Sequence, residues 1–265
     1  KFIEANKEKP FFLYMPHSMP HVPIYASEKF RGKSAQGLYG DVIEEIDASV
    51  GTILETLRKH NLEKNTLVVF TSDNGPWLSY GHHAGSKGLL REGKGTEFEG
   101  GVRVPFVARW PGRIPAGITS NEQTMTIDLL PTLVGYAGGT VPETPKIDGK
   151  SIAGILEGKP GAKSPQDAYY YYWGDALHAV GSGKWKLHFP HPYLHFIEGG
   201  KDGKPGKLET LKIELSLYDL ENDISESKNV ADQHPDVVKR LQALGDRMRE
   251  DLGDSLVKKK GSGVR

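Results

Sequence analysis

The chain of 265 residues contains no cysteine. That excludes a disulfide scaffold, a thiolate metal site and a cysteine nucleophile within these residues. A charge excess is missing too: 34 basic residues balance 34 acidic ones. No global field therefore draws nucleic acid or an anionic membrane, and any anion must be met by a local cluster. No apolar run approaches the roughly 20 residues of a membrane helix. There is no internal repeat, and the opening residues Lys1 to Lys7 lack the pattern of a signal peptide, so localisation is not written in the sequence. What is present is 37% hydrophobic content, enough to bury a real core in one large domain or two smaller ones.

Phe2 to Asn6 resembles the last turn of an amphipathic helix without a start or cap, which reads as a chain beginning inside a domain. Phe11 to Met15 is a short apolar run, read as a strand, and the loop after it carries His17 and His21. Between Tyr39 and Asn61, residues Ile43, Ile46, Val50, Ile53, Leu54 and Leu57 recur at helical spacing, with Asp47 at the margin of the stripe and in need of a partner if buried. Leu67 to Phe70 is a second strand, β-branched enough to be buried on both faces. Strand, helix, strand predicts a parallel crossover that sets His17, His21, Asp73 and Asn74 along one sheet edge, where open α/β sheets bind ligands.

A glycine-rich stretch from Gly81 to Thr96 follows, then a strand from Val102 to Trp110 and a helix opened by Thr126 as cap. Residues 138 to 167 are a Gly/Pro-rich connection. Beyond them the pattern is antiparallel: Tyr169 to Trp173, Leu177 to Val180 and Trp185 to Phe189 about a Gly181-Ser182-Gly183 turn, Leu215 to Leu220, and a helix from Pro235 to Leu252. Gly199 to Gly206 reads as a flexible insertion. The division expected is residues 1–160 and 161–265.

In Thr71-Ser72-Asp73-Asn74-Gly75-Pro76, two readings compete. Asn, Asp, Gly and Pro suit a plain turn, while a carboxylate beside an amide carbonyl suits a hard cation. Lys87, Arg91 and Lys94 fall within eight residues, where backbone amides and cations could converge on one anion, against the plainer reading of a solvated basic loop. His188, His191 and His195 invite zinc, but Pro190 and Pro192 forbid helical spacing, and a loop over the substrate cleft is the reading preferred. His82 and His83, in the loop after Asp73 and Asn74, have a better claim to line the pocket, against the plainer reading of solvated loop residues. Cation ligands, two histidines and a glycine-framed lysine together make a kit for cleaving a sulfate or phosphate ester.

Thr71 to Pro76, then Leu90-Arg91-Glu92-Gly93-Lys94-Gly95-Thr96 running on to Glu99-Gly100-Gly101-Val102-Arg103-Val104-Pro105, resemble the sulfatase family, especially the arylsulfatase and N-acetylgalactosamine-6-sulfatase type. Pro10 to Tyr14, Ile127 to Thr132 and Leu217 to Asp223 agree in order, so the likeness covers nearly the whole chain. The resemblance implies an alkaline-phosphatase-like α/β sandwich with an incomplete N-terminal half and a smaller C-terminal α+β antiparallel-sheet subdomain. It implies a divalent cation, usually calcium, at Asp73 and Asn74, with Lys94 on the sulfate and His21 near the leaving oxygen. His17 is the alternative, and His82, His83, Lys87 and Arg91 are substrate-side candidates. The partner implied is a sulfated small molecule or glycan, in a periplasmic, extracellular or lysosome-like setting.

The family's nucleophile is a formylglycine made from a Cys or Ser in a Cys/Ser-x-Pro-x-Arg motif, and this chain has no such motif. The reading is therefore the C-terminal portion of a sulfatase, inactive by itself. A phosphodiesterase or phosphonate hydrolase of the same superfamily, or a pseudo-sulfatase module without activity, are the alternatives.

Overall fold

Helical spacing between Tyr39 and Asn61 is realised in the computed structural model, which describes residues 1–265. After a five-residue turn, α1 (Phe2–Asn6), the long helix α2 runs Gly37–Lys59. Its Val42 is buried against Ile24 and Ala26 of the preceding loop. Asp47 is exposed and needs no partner; the buried carboxylate of this helix belongs to Asp41, nearly two turns earlier.

The next strand, β1, is Val68–Thr71, followed by a short helix α3 (Glu99–Val102) and strand β2 (Phe106–Arg109). β1 pairs with β2 antiparallel, Val68 opposite Arg109 and Thr71 opposite Phe106. The parallel crossover expected from the sequence is absent. Phe11 to Met15 forms no strand: its backbone makes no ladder, and Phe12 and Tyr14 are 72% and 76% exposed. Apolar, extended propensity supplies a strand's shape, but the strand exists only with a hydrogen-bonded neighbour. For the same reason β1 is not buried on both faces, since Phe70 is 43% exposed. Val102 to Val104 do not extend β2, because Glu99–Val102 closes a helical turn and Pro105 has no N–H for the ladder.

Helices α4 (Leu129–Tyr136) and α5 (Ala153–Leu156) follow. Asp128, not Thr126, opens α4: its buried carboxylate accepts the N–H groups of Met125 (3.0 Å) and Lys150 (2.9 Å) and the Gln166 side-chain amide (3.0 Å). A carboxylate can accept all three of these donors at once, where a hydroxyl oxygen has only two lone pairs.

The remainder is a four-stranded antiparallel sheet, β3 (Tyr169–Trp173), β4 (Ala176–Ser182), β5 (Trp185–His188) and, across the edge, β8 (Ser216–Asp219), in the order β3-β4-β5-β8. The β4–β5 turn is Gly183-Lys184, with Ser182 opposite Trp185 and Gly183 at φ 59, so Gly181 and Ser182 belong to the ladder. Between β5 and β8 a separate hairpin projects, β6 (His191–Glu198) and β7 (Lys207–Ile213). Its loop, Gly199 to Gly206, is docked rather than free: the N–H groups of Gly200 and Gly206 both donate to Ser79 O, at 2.7 and 2.6 Å. Helix α6 (Pro235–Leu252) lays Leu241 and Leu244 over Leu177, Val180, Leu187 and Leu217. No helix is long and apolar enough to cross a membrane.

Candidate active site

Three backbone segments meet where β1 ends. Gly75 N–H donates to Gly101 O at 2.9 Å, and Lys94 N–H donates to Pro76 O at 2.9 Å. A Cβ on Gly75 would collide with Gly100 O, one on Gly93 with Pro76 O, and one on Gly101 with Thr96 O. The glycines of the two recognisable motifs thus serve close backbone approach, not flexibility. The joint they form carries Asp73, Asn74 and Lys94 as one body.

His21 arrives from the loop ahead of α2, which that helix holds down. Asp41 accepts the N–H groups of Gly32 (2.7 Å), Lys33 (3.0 Å) and Ser34 (2.8 Å), and Glu45 accepts that of Ser27 at 2.9 Å. The Ser34 and Gly32 amides hold the Asp41 carboxyl below its ordinary range. His21 donates Nδ1–H to Val22 O at 2.7 Å, since a carbonyl can only accept, and this leaves Nε2 as the free ring nitrogen.

Trp77 joins the two. Its ring lies 5.5 Å from the His21 ring and 4.8 Å below the Lys94 ammonium, so His21, Trp77 and Lys94 stand in a row. Sequence reasoning did not single out Trp77; the signal available was a large aromatic placed directly after Asp-Asn-Gly-Pro. Asp73 is exposed, and Asn74 donates its amide to Asp73 Oδ1 at 2.9 Å. That pairing leaves Asp73 Oδ2 and the Asn74 carbonyl oxygen as two hard donors, a set that fits calcium or magnesium in type.

The other candidates are placed apart. Arg91 does not converge with Lys94 on an anion: its guanidinium donates to Tyr218 Oη (3.1 Å), Tyr193 Oη (3.2 Å) and Glu226 O (2.9 Å) and lies 4.0 Å over Phe98. Lys87 donates to Leu90 O at 2.6 Å. His17 is exposed. His82 and His83 line a depression shared with Ala35, Gln36, Gly37 and Leu38.

His188, His191 and His195 do not form a loop over a cleft. They sit on β5 and β6, and the first two are buried. Phe98, His188, His191 and His178 stack in a column, with centroid steps of 4.6, 5.5 and 3.9 Å. Burial pushes His188 and His191 down to about 4. Donor atoms of Glu97, His178 and His191 lie within 4.8 Å of one another. The His178 and His191 rings, however, are stacked 17° from parallel, so an ion in the plane of one lies out of the plane of the other, and Glu97 already binds His178 Nδ1 at 2.7 Å. The group packs as a column, not as a metal centre.

Beside the column, Lys186, fully buried, bonds Glu99 (2.9 Å) and Glu226 (3.2 Å), and Glu226 accepts from His188 Nε2 (3.1 Å) and Glu99 N–H (2.6 Å). Burial would raise Glu226, but the Lys186 charge and the His188 hydrogen bond overcome it and hold the carboxyl at about 2. Burial would lower Lys186, yet the two carboxylates raise it above the ordinary lysine range.

A family model described as sulfatase matches residues 1–139, and one described as the C-terminal region of aryl-sulfatase matches residues 164–261. The chain is 36% identical over 273 residues to arylsulfatase D of Homo sapiens, covering 95% of this chain and 46% of that protein. It is 44% identical over 183 residues to N-acetylgalactosamine-6-sulfatase of Canis lupus familiaris, covering 69% of this chain and 34% of that one. Among solved structures, the PsFucS1 sulfatase from Pseudoalteromonas sp. superposes with a TM-score of 0.83 at 25% identity, covering 93% of this chain and 50% of that chain. The chain spans about half the length of arylsulfatase D and of the PsFucS1 sulfatase.

Proposed function

The chain belongs to the sulfatase family, and we propose that its residues supply the sulfate-holding and leaving-group side of a sulfuric ester hydrolase acting on sulfate monoesters of aryl or carbohydrate alcohols. Its fold is the α/β alkaline-phosphatase-like fold with a smaller C-terminal antiparallel sheet. The observation that carries the proposal is the row of His21, Trp77 and Lys94 on the joint that also bears Asp73 and Asn74.

In this reading, Lys94 meets the equatorial sulfate oxygens. Its ammonium, held over an aromatic face, makes no ion pair within the protein and is free for an anion. As the bond from sulfur to the alcohol oxygen breaks, the electron pair stays on that oxygen, and His21 in its protonated form delivers the Nε2 proton there. The Nδ1–H bond to Val22 O fixes which nitrogen does this. Asp73 and Asn74 would hold a calcium ion, which when bound offsets negative charge on the sulfate. These are two side-chain ligands, where calcium takes about six to eight oxygens. The nucleophile, formylglycine by family resemblance, and the other ligands would come from outside these residues, because no Cys or Ser stands in the required motif.

The test joins these residues to the complementary half of a sulfatase and follows hydrolysis of esters with graded leaving groups. Lys94→Ala should slow every ester, by roughly 10²-fold or more. His21→Ala should hurt sugar alcohols far more than nitrophenol, which needs little protonation. An equal loss across the series would remove His21 as the acid and pass the role to His17. Full activity of both variants would remove both residues from the machinery, and no hydrolysis by the joined wild-type protein would leave a binding module in place of an enzyme.

A further inference from the structure

We propose that Glu92 is the positioning residue for Lys94, working through a clamp built by β6; this rests on reading Lys94 as the sulfate-holding cation. Glu92 is one of five non-glycine residues with a left-handed backbone, at φ 54. An L-residue with a Cβ adopts that conformation only when its surroundings impose it. Two contacts do so here. Its buried carboxylate accepts from His195 Nδ1–H at 2.7 Å through Oε1 and from the Phe196 N–H at 3.2 Å through Oε2. Behind it, Glu92 O lies where a Cβ on Gly100 would be, so the peptide has no room to turn back.

The consequence falls two residues later. With Glu92 held in this conformation, Gly93 packs under Pro76 O, Lys94 N–H reaches the same carbonyl at 2.9 Å, and the ammonium stands 4.8 Å over Trp77. Glu92, Lys94, Trp77, Leu194 and Phe196 all line one cleft. Both donors of the clamp lie on the C-terminal hairpin, over a hundred positions away, so the hairpin sets where the lysine points. A merely stabilising ion pair would behave differently: its loss would lower stability without moving the ammonium away from Trp77.

The experiment labels the whole chain with fluorotryptophan, assigns the Trp77 fluorine NMR line with Trp77→Phe, and records that line and the melting temperature for each variant. Lys94→Ala defines the line position with no ammonium over the ring. Glu92→Ala is expected to move the line most of the way to that position, and His195→Ala, which removes one donor of two, part of the way. Glu92→Gln still accepts from Phe196 N–H and can pair with a neutral His195, so it should stay near the wild-type line. If Glu92→Ala lowers the melting temperature but leaves the Trp77 line in place, Glu92 only braces the hairpin and the proposal falls. Should Glu92→Ala not fold, the His195→Ala line decides in the same way. Titrating inorganic sulfate separates the two readings: a wild-type Trp77 response that vanishes in Lys94→Ala supports the sulfate role, whereas no response with the sulfate-free shifts intact sinks that role and keeps the clamp.

Discussion

The two ends of the chain are packed differently. In the C-terminal sheet every residue of β4 is buried, and eight apolar side chains of β4, β5, β8, α6 and their connections form one core. The sheet that carries the candidate site has two strands, with Phe70, Phe106 and Val107 at 43%, 37% and 60% exposure, and the core that Ala108 of β2 packs against has three members, Ile152, Ile155 and Leu156. Yet the site loops are placed to within hydrogen-bond distances. They borrow that order from the better-packed unit, through Arg91 in its aromatic cage, Glu92 on β6, and Glu99 on Lys186 and Glu226. A loop need not rest on its own sheet to be held in place.

Cutting the strongest tether is the severest way to break this contrast. Glu226→Ala leaves Lys186 with one carboxylate and the Glu99 N–H with none, and breaking a buried pair in this way costs about 3–5 kcal/mol. Urea unfolding followed by tryptophan fluorescence should show it. Next in size is Leu241→Ala, which removes a fully buried side chain from the C-terminal core and should cost about 2–5 kcal/mol in the same assay.

Acid should weaken the two units unequally. His188 and His191 titrate at about 4 when folded against an ordinary 6.5, so the unfolded chain takes up protons first and stability is lost as pH falls from 6.5 toward 4. Glu226 adds to the loss at lower pH: its folded value of about 2 lies below 4.5, so its contribution is complete above 4.5 and disappears as pH falls through 2. Urea midpoints at a series of pH values should drop through the first window, and His191→Phe should flatten that drop. The smallest effect sharpens the comparison. Phe70→Ala, on the exposed face of β1, should change stability by no more than about 0.5 kcal/mol, although Phe70 is larger than Leu241. A loss comparable to that of Leu241→Ala would show that this sheet is covered in solution.

Much of the molecule was legible in order of residues. The helices Gly37–Lys59 and Pro235–Leu252 follow from apolar spacing, and the antiparallel strands from Tyr169 onward follow from alternation and turn residues. The strand at Phe11 to Met15 was misread because a sequence shows extended propensity, not the neighbour that makes a ladder. The histidines of β5 and β6 were misread because prolines 190 and 192, which do exclude a helix, are equally at home at a strand's start.

What the sequence determined alone is whatever a residue does to its own backbone or its near neighbours. The spacing of Ile43, Ile46, Val50, Ile53, Leu54 and Leu57 calls for a helix, and an Asp-Asn pair just past a strand brings a carboxylate and an amide carbonyl to its end. Tertiary structure decided the rest: that Trp77 lies between His21 and Lys94, that Arg91 is spent on two tyrosines, and that Glu92 answers to His195. Partners from 17 residues apart, as Trp77 and Lys94 are, to 127 apart, as Arg91 and Tyr218 are, leave no period or spacing in the chain. They meet because packing brings distant loops and strands to one place, and a buried donor or acceptor must then find its partner among whatever is there.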